Sequence, residues 1–164
     1  MNLNKKGPPS LPDEGLVIVS ACLAGLATTH DGKAKPHPKV LELLRHGRAV
    51  LVCPEQLGGL PTPRPEAEVE PGSDGSAVLR DAAAVLDVNG VDVSAQYKRG
   101  ANEAMKAARL SGARTAILKA RSPSCGSGQI YDGTFSGNLV EGDGVTAALM
   151  KSQGIEVFTE DDLI

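Results

Sequence analysis

The chain has 164 residues and a formal charge of −3, and its 41% hydrophobic and 23% charged content is enough for one domain with a single core. That charge balance excludes a broad basic footprint, so no long nucleic acid is expected as a partner. Its longest apolar runs fall far short of the roughly 20 residues a bilayer needs, and Met1–Gly15 holds no apolar stretch fit for a secretory signal, so no membrane association and a cytoplasmic location are expected.

Residues 1–15, with Lys5, Lys6, Pro8, Pro9 and Pro12, read as a mobile arm ahead of a domain over 16–164. Leu16-Val-Ile-Val-Ser20 predicts a first strand. Pro38 opens a helical pattern with Val40, Leu41, Leu43 and Leu44 on one side and Gly47 as its stop. A second strand ends at Val52, and the Pro/Gly-rich stretch from Pro54 to Pro71 reads as a long ordered loop of the kind that usually serves function. Asn89-Gly90, flanked by 83–88 and 91–93, predicts a peripheral hairpin. Ser94 is expected to cap a helix over 95–110 with Ala101, Ala104, Met105, Ala108 and Leu110 as its apolar stripe and Gly112 as its end. A strand over 114–119, a helix over 144–152 capped by Asp143, and a strand over 155–158 complete the pattern. Strands alternating with helices predict an α/β fold: a single Rossmann-like, open, mainly parallel sheet with helices on both faces, plus a small hairpin excursion.

The three cysteines, Cys22, Cys53 and Cys125, each stand just past one of these strands in a Gly-, Pro- or Ser-rich segment. In an open parallel sheet the carboxyl ends of the strands share one edge, so thiols far apart in sequence can meet there. An odd count with no close pair is a poor disulfide framework and suits a reducing compartment. Three thiolates leave one position open on a four-coordinate metal, or one iron bare on a four-iron cluster, as a reactive site requires. The plainer alternative is three buried thiols that simply pack. Glu55, two residues past Cys53, is either a general base at the same rim or a solvated loop carboxylate. Ser122 and Ser124 either donate into a site or bond their own turn.

Several blocks carry a resemblance: Val19-Ser-Ala-Cys-Leu-Ala-Gly25, Cys53-Pro-Glu-Gln-Leu-Gly-Gly-Leu-Pro-Thr-Pro-Arg-Pro65, Ser122-Pro-Ser-Cys-Gly-Ser-Gly128 and Ile130-Tyr-Asp-Gly-Thr-Phe-Ser-Gly137. Together they resemble the bacterial thiouracil desulfidase family over 16–164. The resemblance implies that Cys22, Cys53 and Cys125 hold a 4Fe-4S cluster with one iron lacking a protein ligand. It further implies that Glu55 and Ser122 are the catalytic pair; were Glu55 not the base, Glu66 and Asp31 are the next candidates in the sequence. The reaction implied is the non-redox removal of sulfur from a thiolated pyrimidine, giving the oxo base and sulfide, with no acceptor for the sulfide specified. His30 departs from the pattern, standing where an aromatic residue is expected, and the arm over 1–15 is extra.

A free thiopyrimidine or its monophosphate is the expected partner, because there is no basic surplus for RNA. Tyr131 and Phe135 are the aromatics near a candidate loop, and their other role is to pack the turn. Lys33, Lys35, Arg64, Lys119 and Arg121 are the loop cations available to a phosphate. A Cys₃ zinc hydrolase and a non-catalytic cluster-based sensor are the competing classes. A zinc protein would be colourless, and a sensor would have no turnover for Glu55→Ala to remove.

Overall fold

A computed structural model describes residues 10–163, so most of the N-terminal arm lies outside the described residues. Its innermost part is held: Arg48 donates from Nη2 to the Pro12 carbonyl at 2.7 Å and from Nε to the Gly15 carbonyl at 2.9 Å.

The apolar run after the arm forms β1 (Val17–Ser20), followed by a single 3₁₀ turn at Ala21–Ala24. Helix α1 (Pro38–Arg45) starts where proline is tolerated, with the His37 side chain accepting from the Lys39 amide. Strand β2 (Ala49–Val52) leads directly into a one-turn helix, α2 (Pro54–Leu57). Next come β3 (Ala67–Val69), α3 (Gly75–Leu79), β4 (Val85–Asp87) and the long α4 (Ser94–Ser111). Strand β5 (Thr115–Leu118), the hairpin pair β6 (Gln129–Tyr131) and β7 (Leu139–Glu141), helix α5 (Val145–Ser152) and β8 (Glu156–Thr159) finish the chain.

Strands β2, β1, β5 and β8 form the expected parallel sheet in that order, with Val17 in register with both Ala49 and Thr115. The strand period of two divides the core. Val17, Val19 and Ile117 point to one face with Val40, Leu43 and Phe158, while Ile18, Ala116 and Leu118 meet Ala104, Met105, Ala147 and Met150 on the other. Covering both faces explains why these strands read as unbroken apolar runs. The chain leaves β1 toward β2 and then crosses to β5 on the opposite side of β1. The order therefore reverses at β1, the place where open α/β sheets form a crevice at their carboxyl edge.

Four details differ from expectation. The segment 54–71 is no continuous loop: Pro54 occupies the first position of α2, where its missing N–H costs nothing, and 67–69 become β3. The chain does turn back at Asn89-Gly90, where Asp87 N donates to Val91 O, the Asp87 carboxylate accepts from Asn89 N and Val91 N and Leu86 bridges Asp92, but the longer antiparallel partner of β4 is β3. Ser94 is not a cap: its Oγ accepts from Val85 N, tying α4 to β4, and Leu110 is 83% exposed. Asp143 is displaced from the cap of α5 by Gly144, and its carboxylate accepts instead from Gly128 N and Lys151 Nζ.

Two glycines let backbones touch. A Cβ built on Gly100 of α4 would lie 1.8 Å from the Pro54 carbonyl oxygen, and one on Gly58 would lie 2.0 Å from that of Gln96. Helices α2 and α4 therefore meet backbone to backbone, which fixes the segment just past Cys53 against the start of α4.

Candidate active site

At the carboxyl edge of the sheet lies an open cleft of about 300 Å³ with Cys22, Cys53 and Cys125 in its wall. Cys22 sits in the 3₁₀ turn after β1 and Cys53 immediately follows β2. Cys125 lies in the turn that follows β5, so the strand order puts all three at one edge although Ser20 and Cys125, which touch, are 105 positions apart. All three are free thiols. Cys22 is 7% and Cys125 4% exposed, and burial raises their thiol pKa values to about 11 and about 12. Thiols held neutral in this way are poor nucleophiles, whereas a bound metal strips the proton from a coordinating thiol.

Three soft sulfur donors from three separate strand ends are a fitting donor set for an iron–sulfur cluster. Among the described residues no three His, Cys, Asp or Glu side chains are grouped closely enough to hold one metal ion.

Ser122 and Ser124 part company here. Ser122 lines the cleft, and its Oγ accepts from Cys125 N at 2.9 Å and Ser124 N at 3.1 Å, building the turn that presents Cys125. Ser124 is fully buried, bonded to Thr146 Oγ1 at 2.9 Å, and does not reach the cleft. Ser20 braces the same wall: its hydroxyl accepts from Lys119 N and donates toward Cys125 Sγ at 3.5 Å.

Glu55, in the only turn of α2, lines the cleft with a side chain 16% exposed. Its Oε1 accepts from Tyr97 Oη at 2.7 Å and from Arg64 Nε at 3.1 Å, while Oε2 has no hydrogen-bond partner among the described residues. The sequence reading set Arg64 among the phosphate-binding cations, but its guanidinium is consumed by the protein. Besides Glu55 it donates to Thr62 Oγ1 at 2.8 Å and to the Thr28 carbonyl at 2.9 Å, and it is 8% exposed. Tyr97 went unnoticed. It sits four positions before Ala101 on the apolar stripe of α4, and a buried tyrosine on such a stripe signals that its hydroxyl has a partner.

Of the other loop cations, Lys35 and Lys119 line the cleft and Lys33 and Arg121 do not. Lys119 is paired with Glu160 at 3.0 Å and Arg121 with Asp161, whereas the Lys35 head group has no partner among the described residues. Tyr131 borders the cleft and Phe135 lies outside it. His30, Asp31 and Glu66 are exposed residues of its rim, and the Thr29 hydroxyl holds the Asp31 carboxyl below its ordinary range.

Comparison with known proteins gives three findings. The family model described as 2-thiouracil desulfurase matches residues 17–162. An uncharacterized protein of Bacillus subtilis (strain 168), YbbK, is 43% identical over 148 residues, which cover 90% of this chain and 97% of that protein. The solved structure of TudS, a 4Fe-4S-dependent thiouracil desulfidase, superposes with a TM-score of 0.80 at 43% identity, covering 92% of this chain and 93% of that one.

Proposed function

Because the chain belongs to the 2-thiouracil desulfurase family, we propose that its cleft is where thiouracil exchanges sulfur for oxygen, with each group described above in a defined role. The enzyme is an iron–sulfur-dependent thiouracil desulfidase. Cys22, Cys53 and Cys125 are the ligands of its 4Fe-4S cluster, and one iron is left without a protein ligand. When bound, the cluster supplies a Lewis-acidic iron that draws on the thiocarbonyl sulfur and polarises the carbon–sulfur bond.

The protein's own groups do the rest. Glu55 Oε2 takes a proton from the water whose oxygen adds to the ring carbon, Oε1 being held by Tyr97 and Arg64. Ser122, whose oxygen already accepts two amide protons, keeps its own proton to donate to the ring or to the departing sulfur. Water enters, the oxo base and sulfide leave, and no electrons change hands. The substrate is a free thiopyrimidine or its monophosphate, with Lys35, among the described residues, the cleft lysine or arginine left unpaired to meet a phosphate. The three unpaired thiols suit the reducing cytoplasm.

The observation that carries this reading is the meeting of three thiols from three strand ends with a carboxylate, Glu55, in one cleft. Glu55→Gln tests it: in anaerobically reconstituted enzyme, turnover of 4-thiouracil should fall by roughly 10²–10⁴ while the visible spectrum of the cluster is retained. Unchanged turnover would remove Glu55 from the chemistry.

A further inference from the structure

The hydrogen bonds around Glu55 assign roles to two residues outside the three-cysteine framework. We propose that Tyr97 and Arg64 are positioning residues that act through Glu55: together they fix its Oε1, so that only Oε2 faces water and its direction is set before substrate arrives. The inference rests on the reading of Glu55 as the base.

Two donors converge on one carboxylate oxygen, Tyr97 Oη at 2.7 Å and Arg64 Nε at 3.1 Å. Neither donor can drift. Tyr97 is 1% exposed and buried in one cluster with Ala67, Val69, Val93 and Ala101, which restrains the ring. Arg64 is held by three of its four remaining hydrogens, which go to Thr62 Oγ1 at 2.8 Å, Pro61 O at 3.3 Å and Thr28 O at 2.9 Å. The same Thr28 carbonyl accepts from Cys53 Sγ at 3.7 Å, which links the clamp to the cysteine beside Glu55. Burial, and next the neighbouring Glu55, push the Tyr97 hydroxyl well above its usual pKa, so it remains a protonated donor throughout the neutral range. A carboxylate restrained at one oxygen loses the rotation that would present either oxygen to water, and preorganisation of this kind is what rate enhancement by a positioned base depends on. Tyrosine and arginine are the fitting types: a phenol brings a rigid ring with one donor at its tip, and a guanidinium reaches four acceptors from one plane.

The experiment is a double-mutant cycle on anaerobically reconstituted enzyme with 4-thiouracil. Tyr97→Phe keeps the packed ring and removes only the donor. It should lower kcat roughly 10- to 100-fold, the usual worth of a hydrogen bond to a charged group, with KM and iron content unchanged. In a Glu55→Gln background the same change should have an effect of less than about threefold, because there is no base left to position. Arg64→Lys, which keeps charge but loses the fork, should likewise lower kcat and lose its effect in that background. An undiminished effect of Tyr97→Phe in the Glu55→Gln background, or a normal kcat for Tyr97→Phe beside an inactive Glu55→Gln, overturns the positioning role and leaves the base intact. Full activity of Glu55→Gln itself overturns the base reading and this inference with it.

Discussion

The backbone contact between α2 and α4 makes Gly100 a residue on which the geometry of the site depends although it does not line the cleft. In Gly100→Ala the new methyl carbon would start 1.8 Å from the Pro54 carbonyl oxygen and 2.7 Å from its carbon. Real Cβ contacts stay beyond 3.0 Å, so the two helices must separate by about 1.2 Å, a shift that overpacked interiors pay for with roughly 1–3 kcal/mol. Alanine's better helix propensity offsets roughly 1 kcal/mol of that. The protein should therefore fold, but Pro54 lies between Cys53 and Glu55, and both move with it. Adding 1.2 Å to the 2.7 Å between Tyr97 Oη and Glu55 Oε1 is enough to break that bond. We expect at least a tenfold loss of kcat and reduced iron per protein after anaerobic reconstitution, on a thermal midpoint lowered by only a few degrees. Iron content and kcat both equal to those of the unaltered enzyme would refute the reasoning, since the α2–α4 contact would then be soft enough to absorb a methyl group without disturbing the site.

The two serines of the Cys125 turn should separate in the same assays. Ser122→Ala should lower kcat on the order of 10- to 100-fold and destabilise the turn by about 1 kcal/mol, whereas Ser124→Ala should leave kcat alone and cost about 1–3 kcal/mol in chemical denaturation by stranding the buried Thr146 hydroxyl. In cluster-free protein at pH 8, iodoacetamide should label the half-buried Cys53 first, because Cys22 and Cys125 are buried with thiol pKa values near 11 and 12; peptide mapping that finds Cys125 modified earliest would contradict the burial.

What the sequence discloses about this protein depends on the range of the interaction involved. The central strands β1 and β5 are legible because each is a short run buried on both faces, a pattern that local composition carries by itself, and the half-buried edge strands β2 and β8 keep enough of the same apolar content to be read with them. The positions of the thiols follow, since residues just past parallel strands share an edge whatever the detail of the loops. Short elements whose formation depends on a distant partner are not legible. Strand β3 exists because β4 pairs with it, β6 and β7 because each pairs with the other, and α2 because Gly58 and Gly100 let it lie against α4. Ser94 and Asp143 illustrate the same limit. Both are good capping residues, yet each is drawn to a tertiary partner, the Val85 amide for one and Gly128 with Lys151 for the other. Arg64 misled for a related reason: a loop arginine reads as a free cation until the carbonyls of Pro61 and Thr28 are found folded around it.

The position of β1 between β2 and β5 also sets the order of events in the life of a newly made chain. Cys22 and Cys53 emerge early, but the wall that carries Cys125 is complete only when β5, synthesised much later, docks on the far side of β1. Such non-local parallel pairing forms slowly, and no fragment that stops short of β5 contains the cleft.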